Sequence, residues 1–147
     1  MKYKLIIDKN AEEEIIAVVH APSALTKEIE DLVYGFSGTD SIIGYSNDEI
    51  RKLAISEIEC ITVIDRKVVA IYTDKMQYLL KDRLKDLESI LPSYFIRINK
   101  SSIANEHKIL RFKTVFSGGI DAVFKCGYKE YVSRRCFAEI KRRLEKL

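Results

Sequence analysis

The chain has 147 residues, 47% of them hydrophobic and 32% charged, which is enough apolar material to bury a core and excludes a wholly disordered protein. Its formal charge of +3 conceals an asymmetry: 12 Lys and Arg stand against 17 Asp and Glu up to Ser93, and 13 against 5 from Tyr94 onward. The basic excess of +8 therefore belongs to the C-terminal part, as in a surface that meets a polyphosphate, although a solvated basic helix would also account for it.

No apolar run approaches the roughly 20 residues of a membrane span, and nothing resembles a signal peptide, so a soluble, cytoplasmic protein is expected. In chain order, Tyr3–Ile7 and Glu14–His20 read as two strands, with Asp8-Lys9-Asn10 as the turn between them. Pro22 and Ser23 then open a helix. Ser23 is its N-cap, Leu25, Ile29, Leu32, Val33 and Phe36 form one apolar face, and Gly35 and Gly38 end it. A short strand at Ile42–Tyr45 completes a small ββαβ unit over residues 1–47, acidic overall and too short for a receiver domain built from several βα repeats. Its apolar helix face is suited either to packing on the rest of the protein or to pairing with a second chain.

Beyond Asp48 the sequence predicts short strands at Glu57–Ile64, Lys67–Thr73, Gln77–Leu80, Tyr94–Ile98, Ile109–Phe112, Ile120–Phe124 and Lys129–Val132. Turn residues lie at Asp65-Arg66, Thr73-Asp74, Gly118-Gly119 and Cys126-Gly127. One helix interrupts the strands, with Asp82 as N-cap, Leu84, Leu87, Ile90 and Leu91 as its buried face and Pro92 as its stop. A last helix follows Ser133, burying Phe137, Ile140, Leu144 and Leu147 and exposing Arg134, Arg135, Lys141, Arg142, Arg143 and Lys146.

Catalytic chemistry finds little support. His20 and His107 lie in no zinc-binding frame, and Gly118-Gly119 lacks the other glycines of a dinucleotide loop. Cys60, Cys126 and Cys136 have neither CxxC spacing nor nearby histidines, and read as small buried apolar residues. Glu57 and Glu59, two apart on a strand, read as a solvated face rather than an acid–base pair. No enzyme activity, cofactor or metal is expected. Three basic tips on a β scaffold are more informative: Asp65-Arg66-Lys67, Asn99-Lys100-Ser101 and Ser133-Arg134-Arg135. Arg and Lys can donate to guanine O6 and N7, while Ser, Asn and backbone amides can bind phosphate oxygens.

At these residues the chain resembles the LytTR-type DNA-binding domains of bacterial transcription regulators. Glu57-Ile58 matches the acidic–apolar pair that opens the family pattern, and Asp65-Arg66-Lys67 occupies its variable loop. Phe95, Arg97, Lys100, Ser101 and Asn105 fall at the spacing of a Phe-x-Arg-x-His-Arg-Ser-x-x-Val-Asn signature, with Asn99 where the family often has His and Lys100 where it often has Arg or Asn, so that hydrogen-bonding capacity is kept while base preference does not carry over. Val132, Ser133, Arg134 and Arg135 match the closing element without departure.

The resemblance implies an α+β fold, a β-rich domain of short, mostly antiparallel strands over residues 48–147, preceded by the ββαβ unit as a regulatory or dimerisation element. It implies DNA base contacts by Arg66, Lys67, Lys100 and Arg135. Arg97, Asn99, Ser101, Ser133 and Arg134 would contact the backbone or support the loops. For Arg97 and Asn105 a scaffold role is an equal alternative. The implied function is a sequence-specific regulator on double-stranded DNA, acting as a homodimer or as paired monomers on repeated half-sites. The N-terminal unit also resembles that of small standalone regulators of this family whose genes commonly lie beside one for a small membrane protein. That protein is thus a candidate partner, with control by a partner rather than by phosphorylation. The alternative is a protein-interaction module whose basic end is only a solvated surface.

Overall fold

Short apolar segments joined by tight turns find their partners mostly among their sequence neighbours, which is the economy of an antiparallel meander. In the computed structural model, which describes residues 1–36 and 41–145, two wholly antiparallel sheets result. The larger contains β1 (Ser41–Tyr45), β2 (Ile50–Ala54), β3 (Ile58–Ile64), β4 (Lys67–Tyr72), β5 (Gln77–Leu79), β6 (Phe95–Asn99) and β7 (Ser102–Asn105), in the order β2-β1-β5-β4-β3-β7-β6. The smaller contains β8 (Ile109–Thr114), β9 (Ile120–Phe124) and β10 (Lys129–Val132), with β9 in the middle. Three helices complete the described residues: α1 (Ala24–Phe36), α2 (Leu84–Ile90) and α3 (Arg134–Glu145). None is long and apolar enough to cross a membrane.

Both faces of the larger sheet are buried, each by a different layer. On one face Leu53, Ile58, Ile61, Tyr78 and Ile103 pack with Leu84 and Leu87 of α2. On the other, Cys60, Ile71, Ile96, Ile98 and Ala104 pack against Phe124 and Val132 of the smaller sheet and Ile140 of α3. Cys60 and Cys126 are buried and Cys136 is half-buried, and all three are free thiols.

Close approach requires a glycine at one point. A Cβ on Gly44 would lie 2.6 Å from Leu53 Cδ1 and 2.7 Å from Tyr78 Cβ, so the chain can pass there only without a side chain. Gly44→Ala is expected to cost about 1–3 kcal/mol through overpacking. A urea titration with an unchanged midpoint would show that β1 and β2 can separate without cost.

Several expectations are revised. The segments Tyr3–Ile7 and Glu14–His20 form no strand in the single chain. They run exposed, because a strand is defined by its partner and no described residue supplies one. β1 lies between β2 and β5 in the larger sheet, so this strand of the ββαβ reading belongs structurally to the body that follows. β7 was not foreseen: Ser-Ile-Ala-Asn is short and lacks the β-branched run of a strand, yet all four residues are buried between β3 and β6. Helix α2 is preceded by Arg83 with no side-chain cap, so Asp82 is not its N-cap, and Ile90 is exposed. Leu144 is also exposed. Gly38, Lys146, Leu147 and the side chain of Phe36 lie outside the described residues.

Candidate nucleic-acid interface

The antiparallel registers bring the three basic tips to one end of the larger sheet. Thr62 of β3 faces Ser102 of β7, and Val63 N–H donates to Ser101 C=O at 3.1 Å. The β3–β4 turn and the β6–β7 turn are therefore neighbours. The end of β10 joins them through Ser133 N–H, which donates to Ile98 C=O at 2.9 Å. Lys81 and Arg83, just beyond β5, share a hollow with Arg66 and Lys67 and extend the basic row, with Lys81 Nζ also 4.6 Å from the Tyr45 ring centroid. Sequence alone missed these two. The signal was present in Lys81-Asp82-Arg83, but it was absorbed into a helix-start reading. From β5 to β6 the row crosses four strand spacings, on the order of 19 Å.

Each tip is built differently. Asp65 and Arg66 both have positive φ, 51° and 66°, the left-handed pair of a two-residue type I′ hairpin, and Arg66 and Lys67 are exposed. At the second tip Lys100 and Ser101 are exposed, and the loop is held from behind. Arg97 Nη2 donates to Lys100 C=O at 3.0 Å while its Nη1 pairs with Glu88 at 3.0 Å. Asn99 Oδ1 accepts from Ser101 N–H at 2.7 Å, and its Nδ2 donates to Tyr131 C=O at 2.6 Å. Arg97 and Asn99 thus hold the loop. At the third tip Ser133 Oγ accepts from Cys136 N–H at 3.2 Å, the N-cap bond of α3. Arg134 and Arg135 stand exposed in the first helical turn, where the helix dipole disfavours cations and an anion would relieve them.

Asn105 is a scaffold residue. It is buried, donating to Ile58 C=O at 2.9 Å and accepting from His107 N–H at 3.0 Å.

Beneath the tips lies a polar knot in which Thr62 and Ser102 are buried and Tyr128 and Glu130 half-buried. Glu130 Oε1 lies 2.6 Å from Ser102 Oγ and 3.1 Å from Thr62 Oγ1, these two hydroxyls are 2.7 Å apart, and Glu130 Oε2 accepts from Tyr128 at 2.8 Å. Two hydroxyl protons serve three contacts. The shortest distances assign one from Ser102 to Glu130 and the other from Thr62 to Ser102. Burial and the adjacent Glu130 carboxylate push the Tyr128 hydroxyl well above the ordinary tyrosine range, which keeps it a donor. The knot ties β3, β7 and β10 together, and with them the three tips.

A buried acid elsewhere on β3 corrects the solvated-face expectation. Glu59 is fully buried, its Oε1 accepting from Cys126 N–H at 2.9 Å, with Lys108 Nζ 3.9 Å from its other oxygen. It joins β3 to the turn after β9.

Helix α1 docks at the opposite end of the larger sheet, away from the tips. Ser23 and Thr26 cap it reciprocally, Ser23 N–H donating to Thr26 Oγ1 at 2.9 Å. Its polar face meets the body: Lys27 and Arg143 both pair with Glu106, at 3.2 and 3.4 Å. Asp31 lies 3.0 Å from His107, whose ring stacks on Tyr94, and Ser93 donates to Glu30 at 3.0 Å.

This scaffold is a β-meander that presents basic loops, which is a class of DNA-binding domain. Residues 48–145 match the LytTr DNA-binding domain family, and the chain belongs to it. It is 34% identical over 147 residues to an uncharacterised HTH-type transcriptional regulator of Staphylococcus aureus strain NCTC 8325, covering 98% of each chain. A counterpart from the bovine strain RF122 is 35% identical with the same coverage. Among solved structures, the LytTr DNA-binding domain of a methyl-accepting/DNA response regulator from Bacillus cereus aligns with a TM-score of 0.65 and 19% identity. That alignment covers 73% of this chain and 98% of the other, and supports the fold. Within the described residues no helix–turn–helix pair occurs, since five strands separate α2 from α3.

Proposed function

We propose that this chain is a sequence-specific transcription regulator that sets its loop tips and the start of α3 into successive grooves of double-stranded DNA. The observation that carries the reading is the convergence of Arg66, Lys67, Lys100, Arg134 and Arg135 at one sheet end, each exposed, while Arg97, Asn99 and Ser133 are spent on holding the loops. The regulatory names of the staphylococcal relatives support it. Base readout is assigned to Arg66, Lys67, Lys100 and Arg135. Ser101 and Arg134 serve the phosphate backbone. The protein works in the cytoplasm, where its DNA lies, on repeated half-sites as a homodimer or as paired monomers. A small membrane protein is a candidate controller of it.

Mobility shift on promoter DNA tests this against scrambled duplex. With roughly 4–8 phosphates contacted, log affinity plotted against log salt should fall with a slope of about −4 to −7. A slope near zero, or equal affinity for scrambled DNA, would overturn the proposal. Arg142→Ala, on the outer side of α3 and away from the tips, should weaken all duplexes mildly and without sequence preference.

A further inference from the structure

We infer that residues 1–20 and the outward stripe of α1 form the surface on which a second copy of this chain docks, the arms of the two copies completing each other's strands. The starting point is the orientation of α1. Thr26, Lys27, Glu30 and Asp31 face the body, so at 100° per residue Leu25 and Leu32 point away from it, and both are exposed. An amphipathic helix that turns its polar side inward keeps its apolar side for something else.

The arm has the same character. Tyr3, Leu5, Ile7, Ile15, Ile16 and Val18 are 62–93% exposed, an arrangement that a monomer rarely maintains. Asp8 shapes the bend, accepting from Asn10 N–H at 3.0 Å through its side chain and from Ala11 N–H at 3.3 Å through its carbonyl. Among the described residues no other backbone hydrogen bond ties Met1–His20, which leaves two strand-forming edges open.

Area and charge both favour a second copy as the occupant. At roughly 60–120 Å² per buried aliphatic side chain, these six residues with Leu25 and Leu32 offer about 500–1,000 Å² per copy. A standard interface uses about 800 Å² per partner. The first segment carries Lys2, Lys4 and Lys9 and the second opens with Glu12, Glu13 and Glu14. The first segment of one copy therefore complements the second of the other, as a two-fold interface requires. Because α1 sits at the far end of the sheet from Lys100 and Arg135, pairing leaves both DNA surfaces free. This last consequence rests on the DNA-binding reading, whereas the pairing itself does not.

Sedimentation of the full-length protein over about 1–100 μM, together with titration of single and paired half-site duplexes, tests the inference. The parent protein should sediment as a dimer. Ile16→Glu and Leu32→Glu, both at exposed positions, should each give folded monomers by circular dichroism. Those monomers should bind a single half-site within about twofold of the parent but lose at least tenfold on the paired site. A parent that stays monomeric across the range, or variants that remain dimeric, would overturn the pairing, as would monomers that instead pellet with phosphatidylglycerol vesicles through the same side chains. A dimer that binds no duplex would leave the pairing standing and remove the DNA reading.

Discussion

A protein carrying both Lys100→Ala and Arg135→Ala is expected to lose about 2–6 kcal/mol of binding free energy on its preferred duplex and far less on scrambled DNA. Each side chain is exposed and makes no hydrogen bond or ion pair among the described residues, so its removal should leave the fold intact. Each is mounted on a braced element. Lys100 rides on a turn whose carbonyl is held by Arg97 and whose amide is held by Asn99, and Arg135 follows the Ser133 cap. A good side-chain pairing with a base edge is worth about 1–3 kcal/mol, and losses at separated positions add. Competition titrations with specific and scrambled duplex, beside each single variant, measure this. Equal losses on both duplexes would reassign the two residues to the phosphate backbone.

Glu130→Ala is expected to lower unfolding stability by on the order of 3 kcal/mol and, in the surviving folded protein, to weaken specific DNA binding as well. The substitution removes the acceptor for Ser102 and Tyr128, and a buried hydroxyl left without a partner costs about 1–3 kcal/mol. Because the carboxylate joins β3, β7 and β10, its loss also loosens the spacing between tips that must meet one duplex together. Glu130→Gln keeps an acceptor for Ser102 and should be milder on both counts. Thermal melts paired with mobility shift decide the matter. If Glu130→Ala leaves both the melting temperature and the DNA affinity unchanged, the knot is incidental.

Apart from β7, the strands from β3 onward, the hairpin bends and α3 were legible because their signals are local: apolar runs, turn residues, and Ser133 before an amphipathic stretch. What the sequence concealed depends on partners far along the chain. Ser102–Asn105 becomes a strand because β3 and β6 flank it, not through its own propensity. Glu59 reads as solvated in a charged sequence, and only the packing of the second sheet reveals the Cys126 amide that its Oε1 accepts from; the Ser102 hydroxyl that Glu130 accepts from is likewise distant along the chain. For α1 the apolar stripe was visible but its direction was not, since Glu106, His107 and Arg143, which draw the polar face inward, lie far along the sequence. At the site, the basic tips were legible by residue type. The division between residues that brace and residues that remain free, such as Arg97 against Lys100, needed the hydrogen bonds.

The hairpin at Asp65-Arg66 bears on how operator preference can drift. Two consecutive left-handed residues favour Asn, Asp and Gly, so an arginine there persists against a backbone preference of roughly 1 kcal/mol. Random change at this tip therefore tends to relax the backbone and discard the cation in one step. Neither Lys100 nor Arg135 has a positive φ, and exchange there for another donor leaves the chain path alone. A lineage adapting to a new operator is thus expected to rewrite the base pairs beneath the second and third tips first, and to keep or lose the contact beneath the first tip as a whole.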